Sequence, residues 1–158
     1  MSPEASKKLE PPKMVVLRAY GGAEFEVDVV VASQSGTIKN MIDDGWSVES
    51  GVPLPNVEGP VLAKMVEYWK RHVEGGGEEE LKEWDKGFVE REKQDLLVIT
   101  MAAHYLDSQP LFELCCQAVA DTIKDMAVED VREYFGIEND FTPEEERKMR
   151  VAHSWAFQ

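Results

Sequence analysis

Two adjacent cysteines, Cys115 and Cys116, three histidines, His72, His104 and His153, and a glycine run, Gly75 to Gly77, are the residues of this chain whose types could support chemistry. A cysteine paired with His104 would make a nucleophile and its base, provided an electropositive setting lowered the thiol pKa. Both cysteines instead fall on an apolar helical pattern in an acidic chain. Successive side chains on a helix point about 100° apart, which disfavours a disulfide or a shared metal between these neighbours. The histidines lack the i, i+3 or i+4 spacing of a helical metal site. Gly75 to Gly77 is followed by Glu78 rather than by Lys-Ser or Lys-Thr, so it does not read as a phosphate loop. The expectation is a chain without catalysis, cofactor or metal, whose thiols are reduced and packed.

Docking is better represented. From Ile137 to Phe157 the sequence runs IENDFTPEEERKMRVAHSWAF. Thr142 suits an N-cap, Pro143 the first helical position, and Glu145 the return bond of a capping box. Met149, Ala152 and Ala156 then repeat at helical spacing with Trp155 and Phe157 beside them. Such apolar bulk either folds back on its own core or meets a partner. Val128, Val131 and Phe135, at offsets of three and seven, could be an ordinary buried stripe. The helical core reads as nearly complete by Ile123, however, which leaves Tyr134, Phe135, Ile137, Phe141 and Trp155 with little to cover them.

A modest fold must position these residues. At 158 residues, 43% of them hydrophobic, the chain suits one ordinary domain with appendages. Residues 1–13 are a Pro- and Lys-rich tail, expected to be disordered. Met14 to Tyr20 and Glu24 to Val27 read as a hairpin around Gly21-Gly22. A short helix is expected from Thr37 to Ile42, with Ser35 near its start, and a brief strand over Val52 to Leu54. Leu62, Met65, Val66, Trp69 and Val73 mark a helix that buries one face. Residues 74–83, EGGGEEELKE, read as an acidic mobile loop. Trp84 and Phe88 would then pin the chain back onto the core. Leu96, Ile99, Ala103 and Leu106 mark one helix; Leu111, Leu114, Cys115, Ala118, Val119 and Thr122 mark the next, and the two are expected to form a hairpin. A small sheet with helices clustered against it is an α+β arrangement.

The formal charge of −14 repels phosphate and excludes nucleic acid as an expected partner. Between Asp125 and Glu146 nine acidic residues face Arg132 alone, a net of −8, which is a solvated face or a means of steering a basic partner. No apolar run approaches the roughly 20 residues of a bilayer span, and the opening residues lack the apolar middle of a signal peptide. An intracellular chain with no membrane partner is expected.

Several ordered segments carry a resemblance: FEVDVVVASQSGTIKNMI (Phe25 to Ile42), VPLPNV (Val52 to Val57), Trp84-Asp85, AAHYLDSQPLFELCCQAVADTIKDM (Ala102 to Met126), and I-x-N-D-F-T-x-E-E-E followed by a short helix and Trp155. Together they resemble the S-phase kinase-associated protein 1 family, the adaptors of SCF-type ubiquitin ligases. The likeness covers nearly everything after Met14, and the Trp-Ala-Phe ending is most similar to plant members. It implies a BTB/POZ fold over residues 14–124 with a C-terminal helical extension over 125–158. It also implies a non-catalytic adaptor in nucleus and cytoplasm that bridges a cullin to F-box proteins, with weak self-association open to it when no F-box protein is bound. On the F-box side the resemblance maps onto Val119, Ile123, Val131, Phe135, Ile137, Asn139, Asp140, Phe141 and Trp155. On the cullin side it maps onto His104 and Tyr105, with Ile38, Met41, Leu54 and Pro55 nearby. The chain departs from the family at Ala127, in place of a capping threonine, at His104, in place of asparagine, and in the less polar stretch Val151 to Ser154. The alternative is a BTB/POZ scaffold or regulatory subunit outside ubiquitination that has lost cullin binding.

Overall fold

A computed structural model describes residues 13–45 and 51–157, with the side chains of Ala156 and Phe157 left out. Of the expected N-terminal tail only Lys13 falls within the described residues; its carbonyl accepts from the Val29 N–H at 2.8 Å. The chain divides into two compact units, Met1–Cys116 and Gln117–Gln158. The division falls inside one long helix, earlier than the boundary after residue 124 expected from the sequence.

The first unit is built on a three-stranded sheet in the order β2-β1-β3. Strand β1 (Met14–Tyr20) alternates as a half-buried strand must, with Val15, Leu17 and Ala19 inward and Arg18 and Tyr20 outward. It pairs antiparallel with β2 (Glu24–Asp28) through the Gly21-Gly22 turn, as the hairpin pattern predicts. Two short helices follow. The first, α1 (Val29–Ala32), is capped by Asp28, whose carboxylate accepts from Val30 N at 2.8 Å. It was not read from the sequence, because four residues are too few to show a period. The second, α2 (Gly36–Asp43), is capped by Ser35, which accepts from Ile38 N at 3.1 Å.

Strand β3 (Val52–Glu58) lies parallel to β1 and is longer than the brief strand expected. It is an edge strand, where Pro53 and Pro55 are tolerated. Helix α3 (Gly59–Glu74) buries Leu62, Met65, Val66 and Trp69, but Val73 is exposed because the stripe runs out as the helix end reaches the surface.

The mobile loop expected over residues 74–83 is corrected. Helix α4 (Glu78–Arg91) begins inside it, leaving only Gly75 to Gly77 between α3 and α4. Glu78, Glu79 and Glu80 occupy the first turn, where carboxylates face the positive pole of the helix dipole. Arg71 fastens the entry, donating to the Gly75 carbonyl at 2.6 Å and to Glu80 at 2.9 Å. Trp84 and Phe88 do pin α4 to the core: their rings stack at 5.3 Å, and Phe88 lies 5.9 Å from Tyr68 on α3. Helix α5 (Leu96–Tyr105) buries Leu96, Ile99, Ala102 and Ala103, and α6 (Gln109–Ile123) follows.

The second unit comprises the end of α6, α7 (Val128–Phe135), α8 (Pro143–Ala152) and a 3-10 turn, Ser154–Phe157. Neither α7 nor α8 contains a buried residue. The whole is α+β, as expected.

Candidate functional site

Helix α5, LLVITMAAHY, carries two apolar stripes. Leu96, Ile99 and Ala103 face the core, while Val98, Met101 and Tyr105, at offsets of three and seven, face outward with 52%, 68% and 45% of their surface exposed. That outer stripe forms one wall of an open groove of about 410 Å³. Asn56, Val57 and Glu58 of β3 and Val61 of α3 line the other side, and Glu58 is the one charged lining residue.

Tyr105 is held in place by the start of α2. The Ser35 hydroxyl donates to the Leu106 carbonyl, and the Thr37 hydroxyl to the Tyr105 carbonyl at 3.2 Å. The N–H groups of Gly36 and Thr37 donate to the carbonyls of Asp107 and Leu106 at 3.0 and 3.2 Å. The orphan donors of one helix thus satisfy the orphan acceptors of another. A Cβ at position 36 would run into the Asp107 carboxylate, which would have to swing aside to admit it. The Trp69 indole N–H, donating to Ser108 Oγ at 2.9 Å, secures the same corner from below.

Of the six residues expected on the cullin side, His104, Tyr105 and Pro55 are exposed and Met41 is half-buried. Ile38 and Leu54 are corrected: at 0% and 2% exposed, both belong to the core. Ile38 lies on the inner face of α2, and Leu54 alternates inward between Pro53 and Pro55. Sequence reasoning missed Val98, Met101 and Glu58. The first two left a signal in the second stripe of α5; Glu58 left none.

The second unit presents a different apolar surface. Gly136 ends α7 in the left-handed region (φ +67°), and the Ile137 N–H then donates to the Arg132 carbonyl at 2.8 Å, turning Ile137 outward, 59% exposed. Asn139 Oδ1 accepts from Phe141 N at 3.2 Å. Thr142 caps α8, accepting from Glu145 N at 3.2 Å. Its hydroxyl meets the Glu145 carboxylate at 3.0 Å, so Glu145 returns the contact to the side chain rather than to the backbone N–H of a full capping box. Phe135, Phe141, Met149 and Val151 are exposed, and Trp155 is 75% exposed. Asn139 and Asp140 are exposed as well, Ile123 and Val131 half-buried, and Val119 is buried, which corrects its placement on a partner-facing surface. Ala127 caps α7 without a side-chain bond, as its departure from the family pattern implies.

The candidate nucleophile is placed for packing. Cys115 is fully covered, and burial pushes its thiol up to about 11, with a hydrogen bond to Thr100 pulling the other way and Cys116 adding to the rise. That is the reverse of thiolate activation. His104 lies 5.4 Å from the Phe112 ring, while His72 lies 2.7 Å from Asp85 and stacks on Tyr68 at 4.2 Å. Among the described residues no cluster of His, Cys, Asp and Glu could hold a metal ion, and no helix is long and apolar enough to cross a membrane.

Comparison with known proteins gives a consistent picture. A family model described as Skp1 family, tetramerisation domain, its POZ part, matches residues 13–74, and one described as Skp1 family, dimerisation domain, matches residues 109–156. SKP1-like protein 3 of Arabidopsis thaliana is 43% identical over 162 residues, which cover 94% of this chain and 99% of that protein. SKP1-like protein 12 of the same plant is 45% identical over 150 residues, 92% and 98% of the two chains. SKP1-like protein 1 of Oryza sativa subsp. japonica is 39% identical over 167 residues, 92% and 96%.

Proposed function

This chain belongs to the Skp1 family, and we propose that it is a non-catalytic adaptor of an SCF-type ubiquitin ligase, joining a cullin scaffold to F-box substrate receptors. One observation carries the reading: each compact unit exposes its own apolar surface, the Val98, Met101 and Tyr105 groove on the first and the Phe135, Ile137, Phe141 and Trp155 face on the second. Several large exposed apolar residues on a highly charged chain are the mark of protein docking. The groove takes the cullin, and the C-terminal face takes the F-box protein. Neither partner needs chemistry from this chain, whose Cys115 thiol is buried and pushed up to about 11.

The test is to mix the full chain with a cullin N-terminal domain and a plant F-box protein and resolve the species by gel filtration. A single complex of all three is the expected result, and exclusion of one partner by the other counts against the proposal. F-box binding without any cullin binding would favour a POZ-type regulatory subunit outside ubiquitination, a reading motivated by the exposed His104 next to Tyr105 in the chain. The same column run on the free chain reads self-association through the uncovered aromatic face. The proposal places the protein in both nucleus and cytoplasm, which a fluorescent fusion would report.

A further inference from the structure

Helices α7 and α8 contain no fully buried residue. Ion pairs link them. Arg150 Nη2 on α8 lies 2.9 Å from Glu129 Oε1 on α7 and 3.3 Å from Glu146 Oε1 on its own helix. Arg132 Nη1 on α7 lies 3.7 Å from Glu146 and 3.9 Å from Glu129. Asn139 Nδ2, on the connecting loop, reaches Glu146 at 3.5 Å, and the Arg132 guanidinium sits 6.0 Å from the centre of the Phe141 ring. Two cations and two anions therefore alternate across the helix pair.

Arg132 is the most enclosed of the four. Its side chain is 17% exposed against 63% for Glu129, and its Nη1 is, among the described residues, the one buried side-chain nitrogen or oxygen without a hydrogen bond. Enclosing such an atom without a bond is costly, so the surroundings must impose the position. Arg132 is also the only basic residue among the nine acidic ones from Asp125 to Glu146. Its removal leaves Glu129 and Glu146 to repel across the helix pair with Arg150 alone between them.

We propose that Arg132 is a positioning residue for the partner-facing aromatics: it braces α7 against α8 and holds the Phe141 ring on its guanidinium, so that Phe135, Phe141 and Trp155 are presented together. The inference rests on the F-box reading of that face. It is tested by hydrogen exchange on the full-length free chain and by affinity for the same plant F-box protein, comparing Arg132→Ala and Arg132→Lys with wild type. In Arg132→Ala the amides of α8 and of Phe141 should exchange about tenfold faster while those of α3 are unchanged, and the affinity should fall by a similar factor. Lysine keeps the charge but not the planar fork, so Arg132→Lys should restore protection in part at low salt and lose it at about 1 M salt, where the screening length is about 3 Å. Unchanged α8 exchange in Arg132→Ala overturns the proposal, as does equal loosening of α3, failure of lysine to restore any protection, or local loosening with unchanged affinity. If the wild-type chain bound no F-box protein, the functional reading would fail, and the exchange comparison would still decide whether Arg132 braces the helices.

Discussion

Glu92 shows how a single residue can set the behaviour of the first unit. Its side chain is nearly covered, yet Lys64 Nζ lies 2.7 Å and Arg91 Nε 2.9 Å from its carboxylate, while Lys64 also reaches Asp95 at 2.6 Å and Arg91 reaches Glu67 at 2.8 Å. Burial by itself would raise the Glu92 carboxyl; the hydrogen bonds from Lys64 and Arg91 outweigh it and hold the group below its usual range. A depressed carboxyl contributes stability above its unfolded pKa and loses it as pH falls through the folded value. Lys64 is raised, by its bonds to Asp95 and Glu92, so its contribution is complete below 10.5 and is lost only in stronger alkali. The thermal midpoint should accordingly be steady from about pH 6 to 8 and decline below about pH 4.5. Glu92→Gln should lower stability at neutral pH by about 1–3 kcal/mol and flatten that acid limb, both read by melts across pH. An acid limb identical in the two proteins would remove Glu92 from the account. At this scale the sequence was legible where residue type decides the outcome, as for the packed Cys115. It was illegible where facing decides it: Ile38 and Leu54 look like any other apolar residues until the elements that cover them are in place.

Helix α4 shows what composition conceals at the scale of the element. Three glycines and a block of glutamates resemble a linker by content, but the glutamates fill a first turn and the glycines merely precede it. Lys82 adds an i, i+4 contact to Glu78 at 3.4 Å, and the Tyr68, Trp84 and Phe88 cluster supplies the apolar anchor. The anchor should matter more than the charges. Phe88→Ala should cost about 3–5 kcal/mol in urea unfolding, whereas replacing Glu78, Glu79 and Glu80 together by Gln should cost about 1–3 kcal/mol, since each carboxylate near a helix N-terminus is worth about 0.3–1. The opposite ranking would mean that α4 is an electrostatic element rather than a packed one. Elements with long, clean periods, such as the β1–β2 hairpin and α3, could be read directly. Those below one or two periods, such as α1, could not, and β3 was read only over its first three residues.

For the whole molecule, the sequence carried the α+β architecture, because a strand period followed by several helical stripes leaves few other layer arrangements. It did not carry the division within α6, because a continuous helical period gives no sign of where one compact unit ends and the next begins. The two candidate surfaces differ in the same way. The aromatic face of the second unit is legible as apolar residues with nothing left to cover them, and it lies within one short stretch of chain. The groove is assembled from the junction of β3 with α3 and from α5, two segments far apart in sequence, and only the fold joins them. The central claim is that these are two independent docking surfaces for two partners. It is tested most directly by measuring, side by side, the affinity of the full chain and two double variants for a cullin N-terminal domain and for a plant F-box protein. Met101→Ala with Tyr105→Ala should weaken cullin binding by about 2 kcal/mol or more and leave F-box binding alone, and Phe141→Ala with Trp155→Ala should do the reverse. If either variant, still folded by its melt, lost both partners or kept both, the two-surface account would be contradicted.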